Sequence, residues 1–175
     1  MTDHDPIRVL FLCTHNSARS LMAEAILNHM GATRFRAYSA GSQPAANGQP
    51  HPLTLEALQS AGIDTHGLRS KSWDEFSRPD APELDLVITL CDQAAGEPCP
   101  VWPGQPVTAH WSYEDPSRVE ASHDEQLYAF KHVLHALHQR LELLMNLPLS
   151  RLDKFMLEHH VRSVAPSRNK PLGDD

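Results

Sequence analysis

The sequence predicts an α/β fold: a single three-layer domain with one parallel sheet flanked by helices. Three observations carry that expectation. Short apolar runs rich in branched residues, at 7–12, 35–40 and 84–90, alternate with helical periodicity at 18–30, 53–61 and 124–145. The first run is nearly continuous rather than alternating, as in strands covered on both faces. The first and third runs are each followed directly by a cysteine, Cys13 or Cys91, and α/β sheets bind ligands at such strand ends.

Composition sets the outer bounds. A chain of 175 residues, 41% hydrophobic and 21% charged, suits one soluble domain with its own core. A net charge of −7 argues against general nucleic-acid binding, which needs a basic face. No apolar run approaches the roughly 18 residues of a membrane span. The start, Met-Thr-Asp-His-Asp-Pro, lacks a basic n-region and an apolar h-region, so a cytoplasmic protein is expected. Three cysteines make an odd count, which speaks for reactive thiols rather than a disulfide framework. Twelve histidines are many, and six of them fall in the last third: His123, His132, His135, His138, His159 and His160. Their order matches no zinc spacing, so they read as solvated helix-face residues.

Residues 1–6 read as a flexible tail. Residues 7–12 are the first strand. From Ala18 onward Leu21, Met22, Ala25, Ile26 and Met30 recur at helical spacing, with Gly31 as the C′ stop. Residues 35–40 form a second strand ending at Gly41, followed by a Pro, Gly and Asn-rich loop. Leu55 and Leu58 mark a helix over 53–61, stopped by Gly62. Ser72 and Glu75 stand at capping-box spacing for a short helix. Residues 84–90 are the third strand and 106–111 a short fourth one. Residues 92–105 are too rich in Pro and Gly for a regular element. Asp115-Pro116 starts a turn. The longest helix, 124–145, carries Leu127, Phe130, Leu134, Leu137, Leu141 and Leu144 on one face. A last helix over 150–161 would bury Leu152, Phe155 and Met156, and residues 165–175 should be disordered.

The first loop carries the chemistry. Cys13 lies between a strand and a helix N-terminus, with five residues between it and Arg19. The helix dipole and the guanidinium both favour thiolate, well below the roughly 8.5 of a free thiol. Ser17 and Ala18 are small enough for backbone amides to turn inward as an anion nest. Arg19 can grip a tetrahedral oxyanion with two N–H groups, and Ser20 can donate to the sulfur. The result is a nucleophile inside an oxyanion cradle.

The stretch from Val9 to Ala25, with Cys-Thr-His-Asn-Ser-Ala-Arg-Ser at its centre, resembles the signature of the low-molecular-weight tyrosine phosphatase superfamily. Its Cys-Thr-x-Asn-Ser-x-Arg-Ser form is closer to the arsenate reductase branch. Tyr38-Ser39-Ala40-Gly41, Thr89-Leu90-Cys91 and His110-Trp111 followed by Asp115-Pro116 are similar to that branch too, and the likeness covers roughly residues 7–145. It implies a four-stranded sheet in the order 2-1-3-4, a catalytic domain over 7–147, and a C-terminal extension over 148–175. It implies arsenate as substrate, with phosphate and sulfate as competitors, in a monomer or weak dimer. The binding loop would be Thr14, His15, Asn16, Ser17, Ala18 and Arg19. Catalysis would fall to Cys13, Arg19, Ser20, Cys91, Cys99 and Asp115. Asp115 would be the general acid, desolvated enough to hold a proton near neutral pH. No cofactor is required, though Asn16, Glu24 and Ser39 match positions that hold potassium in some relatives.

Reducing arsenate takes two electrons, and thiols can supply them. A cysteine–arsenate adduct at Cys13 would be attacked by Cys91, and Cys99 would then move the disulfide outward. Thioredoxin is the reductant the resemblance implies. Seven residues separate Cys91 from Cys99 where six are expected, so glutaredoxin with glutathione is the other donor considered. A phosphatase acting through a Cys13 phosphoenzyme is the rival enzyme, and a non-catalytic oxyanion-binding module the rival class. His15 replaces a glycine of many relatives and is expected to face solvent. Trp102, Trp111 and Tyr113 read as core packing rather than pocket wall.

Overall fold

The computed structural model describes residues 5–31, 33–90, 102, 105–148 and 154–164. Cys91, Cys99, Leu152 and the tail over 165–175 lie outside the described residues, as do the side chains of Phe155 and Met156. Four parallel strands, β1 (Ile7–Cys13), β2 (Phe35–Gly41), β3 (Leu86–Thr89) and β4 (Val107–His110), form one sheet in the order β2-β1-β3-β4. This is the expected order. The central strand β1 is buried at every position except the half-buried Arg8, which explains its unbroken apolar run.

Helix α1 (Arg19–Met30) follows the first loop, and α2 (Pro52–Ser60), α3 (His123–Met145) and α4 (Lys154–Ser163) complete the α-helices among the described residues. Their apolar faces join Val9, Phe11, Leu86 and Ile88 in one core. A smaller cluster on the opposite sheet face holds Leu10, Leu12, Ala40, Phe76, Leu84, Val87 and Trp102. No helix of the described residues is long and apolar enough to cross a membrane.

Several ends differ from expectation for physical reasons. Gly31 ends α1 without a left-handed turn: its φ is −102°. It is glycine for space, since a Cβ there would meet the Phe35 ring at 2.9 Å. Gly62 does take positive φ, at +73°. Ser72 caps a 3-10 turn over Trp73–Phe76 by accepting from Asp74 N at 3.1 Å. Glu75 does not close a capping box, because its carboxylate makes a bidentate pair with Arg69 at 2.6 and 2.9 Å. Ser122 caps α3, and Arg34 ties the far end of that helix by donating to the Met145 carbonyl. Helix α4 packs beside β4 through Leu157 and Val161, and Arg140 donates to the Val164 carbonyl at 2.6 Å.

Candidate active site

The register brings the carboxyl ends of three strands together. Cys13 pairs with Gly41, and Leu12 with Thr89. The loop over 14–18 crosses that edge and runs into α1. Its backbone is fastened on each side. Gln43 N donates to Thr14 O at 2.8 Å, Ser70 Oγ to His15 O at 2.8 Å, and His51 N and Thr54 Oγ1 to Ser17 O at 2.9 and 2.8 Å. Gly41 lies directly beneath, where a Cβ would stand 2.5 Å from Thr14 O. Gly41→Ala must therefore push the loop off the sheet. We expect it to lose about 1–3 kcal/mol of stability, read as a lower midpoint in denaturant, and to slow Cys13 alkylation.

Cys13 is 2% exposed, and Asn16 and Ser20 are fully buried. Asn16 adopts φ +48°, a left-handed conformation that asparagine tolerates better than most residues. Its side chain decides which way protons point. Lys71 N donates to Asn16 Oδ1 at 3.0 Å, which leaves Asn16 Nδ2 to donate to Ser20 Oγ at 2.7 Å. Ser20 has one proton of its own, and the Cys13 sulfur lies 2.8 Å away. The hydroxyl is thus directed as a donor onto the sulfur, an arrangement that favours a thiolate. Helix α1 begins with no side-chain cap at Ala18 and no acidic residue in its first turn, so the helix itself sets no negative charge against an incoming anion.

Arg19 reaches across to the opposite wall. Nη1 donates to the Tyr113 carbonyl at 3.0 Å, and Nη2 stands 3.7 Å from Asp115 Oδ2. Burial pushes the Asp115 carboxyl up, but the two bonds from Ser117 and the charges of Arg19 and Arg118 outweigh it and hold the group below the usual aspartate range. Asp115 is therefore ionised at rest. The sequence predicts a carboxyl desolvated enough to hold a proton near neutral pH; the burial is there, but the donors and cations around this carboxylate favour its ionised form.

The remaining candidates divide clearly. His15 is exposed, its Nδ1 3.0 Å from Gln43 O, and stays outside the cradle as expected. Trp111 is fully buried in the main core, and Trp102 packs edge-on against Trp73. Sequence reading missed two residues. His51 caps α2, packs against the Phe130 ring with centroids 4.7 Å apart and planes tilted by 34°, and faces the field of Asp115. Burial holds its imidazole below the usual histidine range, against the pull of Asp115. Its place just before Pro52, at the start of a helical run, was the available signal.

The other is Lys71. Its ammonium stands 3.6 Å from Glu24 Oε1 and donates to Ser39 Oγ at 3.4 Å and to Arg69 O at 3.0 Å. Glu24 and Ser39 are residues that the resemblance offered to potassium. A cation already occupies their midst, so the side chains present do not fit a metal ion there. Among the described residues no cluster of three or more His, Cys, Asp or Glu side chains could hold a metal. Cys91 and Cys99 lie outside the described residues, and Leu90 is the last described residue before them.

Comparison with known proteins agrees with this geometry. The family "Low molecular weight phosphotyrosine protein phosphatase" matches residues 8–156. An arsenate reductase of Bacillus licheniformis is 36% identical over 136 residues, covering 77% of this chain and 91% of that protein. A glutaredoxin arsenate reductase of Synechocystis is 30% identical, covering 79% and 95% respectively. A solved arsenate reductase in a phosphate-binding state superposes with a TM-score of 0.63 at 30% identity, over 79% of this chain and 96% of that one.

Proposed function

As the chain belongs to the low molecular weight phosphotyrosine protein phosphatase family, we propose that it is an arsenate reductase working through a thiol–disulfide relay. The Cys13 thiolate attacks arsenic(V) held by the loop amides and Arg19, and an S–As bond forms as water leaves. Asp115 gives the departing oxygen its proton. At rest that carboxylate is ionised. A bound arsenate dianion adds negative charge beside it and draws the Arg19 guanidinium to itself, and both changes raise the carboxyl's affinity for a proton, which it takes up from solvent before passing it to the leaving oxygen. The acid is thus armed by the substrate.

The Cys91 thiolate then attacks the Cys13 sulfur. A disulfide forms, the S–As electron pair passes to arsenic, and arsenite departs. Cys99 attacks Cys91 next, freeing Cys13 and leaving Cys91–Cys99 oxidised. A dithiol protein of the thioredoxin or glutaredoxin kind supplies two electrons to reset the pair. The observation that carries this reading is the closeness of the two strand ends. Leu90 N donates to Leu12 O at 2.8 Å, and in each strand the next residue along the chain is a cysteine. Neighbouring strands lie about 4.8 Å apart, and the relay we propose takes the cysteine that follows Leu90 in the sequence as the nucleophile toward Cys13.

Reduction without a donor tests the relay. Wild-type protein should release close to one arsenite per chain in a single turnover, and Cys91→Ser should release none above background while still binding arsenate. Equal release by the two would sink the relay. Phosphate-monoester hydrolysis needs only the Cys13 loop and Asp115, so arsenate turnover that depends on Cys91 also separates reductase from phosphatase.

A further inference from the structure

The ion pair under the loop has no part in the relay just described. Glu24 and Lys71 have side chains only 13% and 8% exposed, so both charges are taken out of water. Burial pushes the Glu24 carboxyl up and the Lys71 ammonium down, while each pulls the other back toward its charged form. Such pairs seldom add stability over an apolar replacement of equal volume, so a pair retained here invites a different explanation.

Its position supplies one. Glu24 lies one turn beyond Ser20 on α1, Ser39 is on β2, and Arg69 O belongs to the segment that pairs with the sheet at Gly41 and Ser72. The ammonium bonds to all three elements. From the same residue, Lys71 N holds Asn16 Oδ1, Asn16 holds Ser20, and Ser20 meets Cys13. The cation therefore anchors the first link of the chain that ends on the nucleophile. Without it, a buried carboxylate would face Ser39 and a carbonyl, a set of hard oxygens suited to a monovalent ion.

We propose that Lys71 is a positioning residue whose ammonium serves as a built-in monovalent cation, fixing the Cys13 loop without potassium and leaving a potassium site when removed. This builds on the oxyanion-binding loop, and the test does not need arsenate to be reduced. Inorganic phosphate affinity and the pH profile of Cys13 alkylation, followed on the Cys13 peptide by mass spectrometry, are measured in potassium and in tetramethylammonium chloride at equal ionic strength. Wild type should give the same values in both salts. Lys71→Ala should bind phosphate about tenfold more weakly in tetramethylammonium, and millimolar potassium should restore both readouts saturably. The double variant Glu24→Gln with Lys71→Met, which leaves no buried charge unpaired, should fold, bind phosphate weakly and ignore potassium. A potassium-specific gain in wild type would overturn the proposal. So would phosphate affinity and alkylation in a folded Lys71→Ala or in the double variant that match wild type without potassium. Arsenate turnover by wild type, run alongside, reports on the proposed reaction independently.

Discussion

Cys13→Ser leaves the protein folded and still able to bind phosphate, but lowers arsenate reduction by on the order of 10⁴-fold or more. Cys13 is 2% exposed and one 2.8 Å contact of its sulfur, with Ser20 Oγ, is already in place. A serine oxygen fits that space, so the fold loses little. What it loses is the chemistry. The alcohol is hardly ionised under conditions that favour a thiolate, and an O–As bond cannot be opened by a thiol to form a disulfide. Wild-type and Cys13→Ser protein are compared by kcat/KM for arsenate with an excess of dithiol donor, and by phosphate Kd in parallel. Residual turnover above about one part in a thousand would mean that another group is the nucleophile.

Arg19→Lys is the second large effect, although it keeps the charge. The guanidinium uses one nitrogen on the Tyr113 carbonyl at 3.0 Å and turns the other toward Asp115 at 3.7 Å. A lysine ammonium has neither the reach nor the planar fork to brace that wall and still present two parallel donors to an oxyanion. Loss of one such donor to a developing charge typically costs about 10²–10³ in kcat. We expect a fall of that order in kcat, with phosphate affinity weakened less. An unchanged kcat with raised KM would show that Arg19 only gathers the substrate.

The catalytic loop is legible in the sequence because its parts are local. Cys13, Asn16, Arg19 and Ser20 span eight positions between a strand and a helix, and their spacing alone brings them to one point. Lys71 was not legible. It sits in Arg-Ser-Lys-Ser, which has no apolar pattern to mark burial, and its partners are 47 and 32 positions away. The resting charge of Asp115 falls between these cases. Its pairing with Arg19 is a tertiary fact, but Ser117 two positions on is a local turn donor to the Asp115 carboxylate, which favours the ionised form. The four-stranded order followed from the family likeness, and the parallel sheet from the cysteine-ended apolar runs. Glycines read as helix stops divided by mechanism: Gly62 supplies a positive φ, whereas Gly31 makes room for a ring.

The fastening of the loop has a consequence for traffic through the protein. Thr14, His15 and Ser17 carbonyls are each bonded to a different neighbouring segment, and Asn16 is held at both ends of its amide. Opening this loop would mean breaking most of those bonds at once, against the grain of the central strand. A sulfur in such a place is well set to hold a small anion and badly set to meet a protein the size of a reductant. The proposed chemistry therefore separates a fixed station, where the anion is handled, from a courier that hands the oxidation on to the reductant. Substitutions at the station should change substrate handling, while those along the courier's route should change which reductant is accepted.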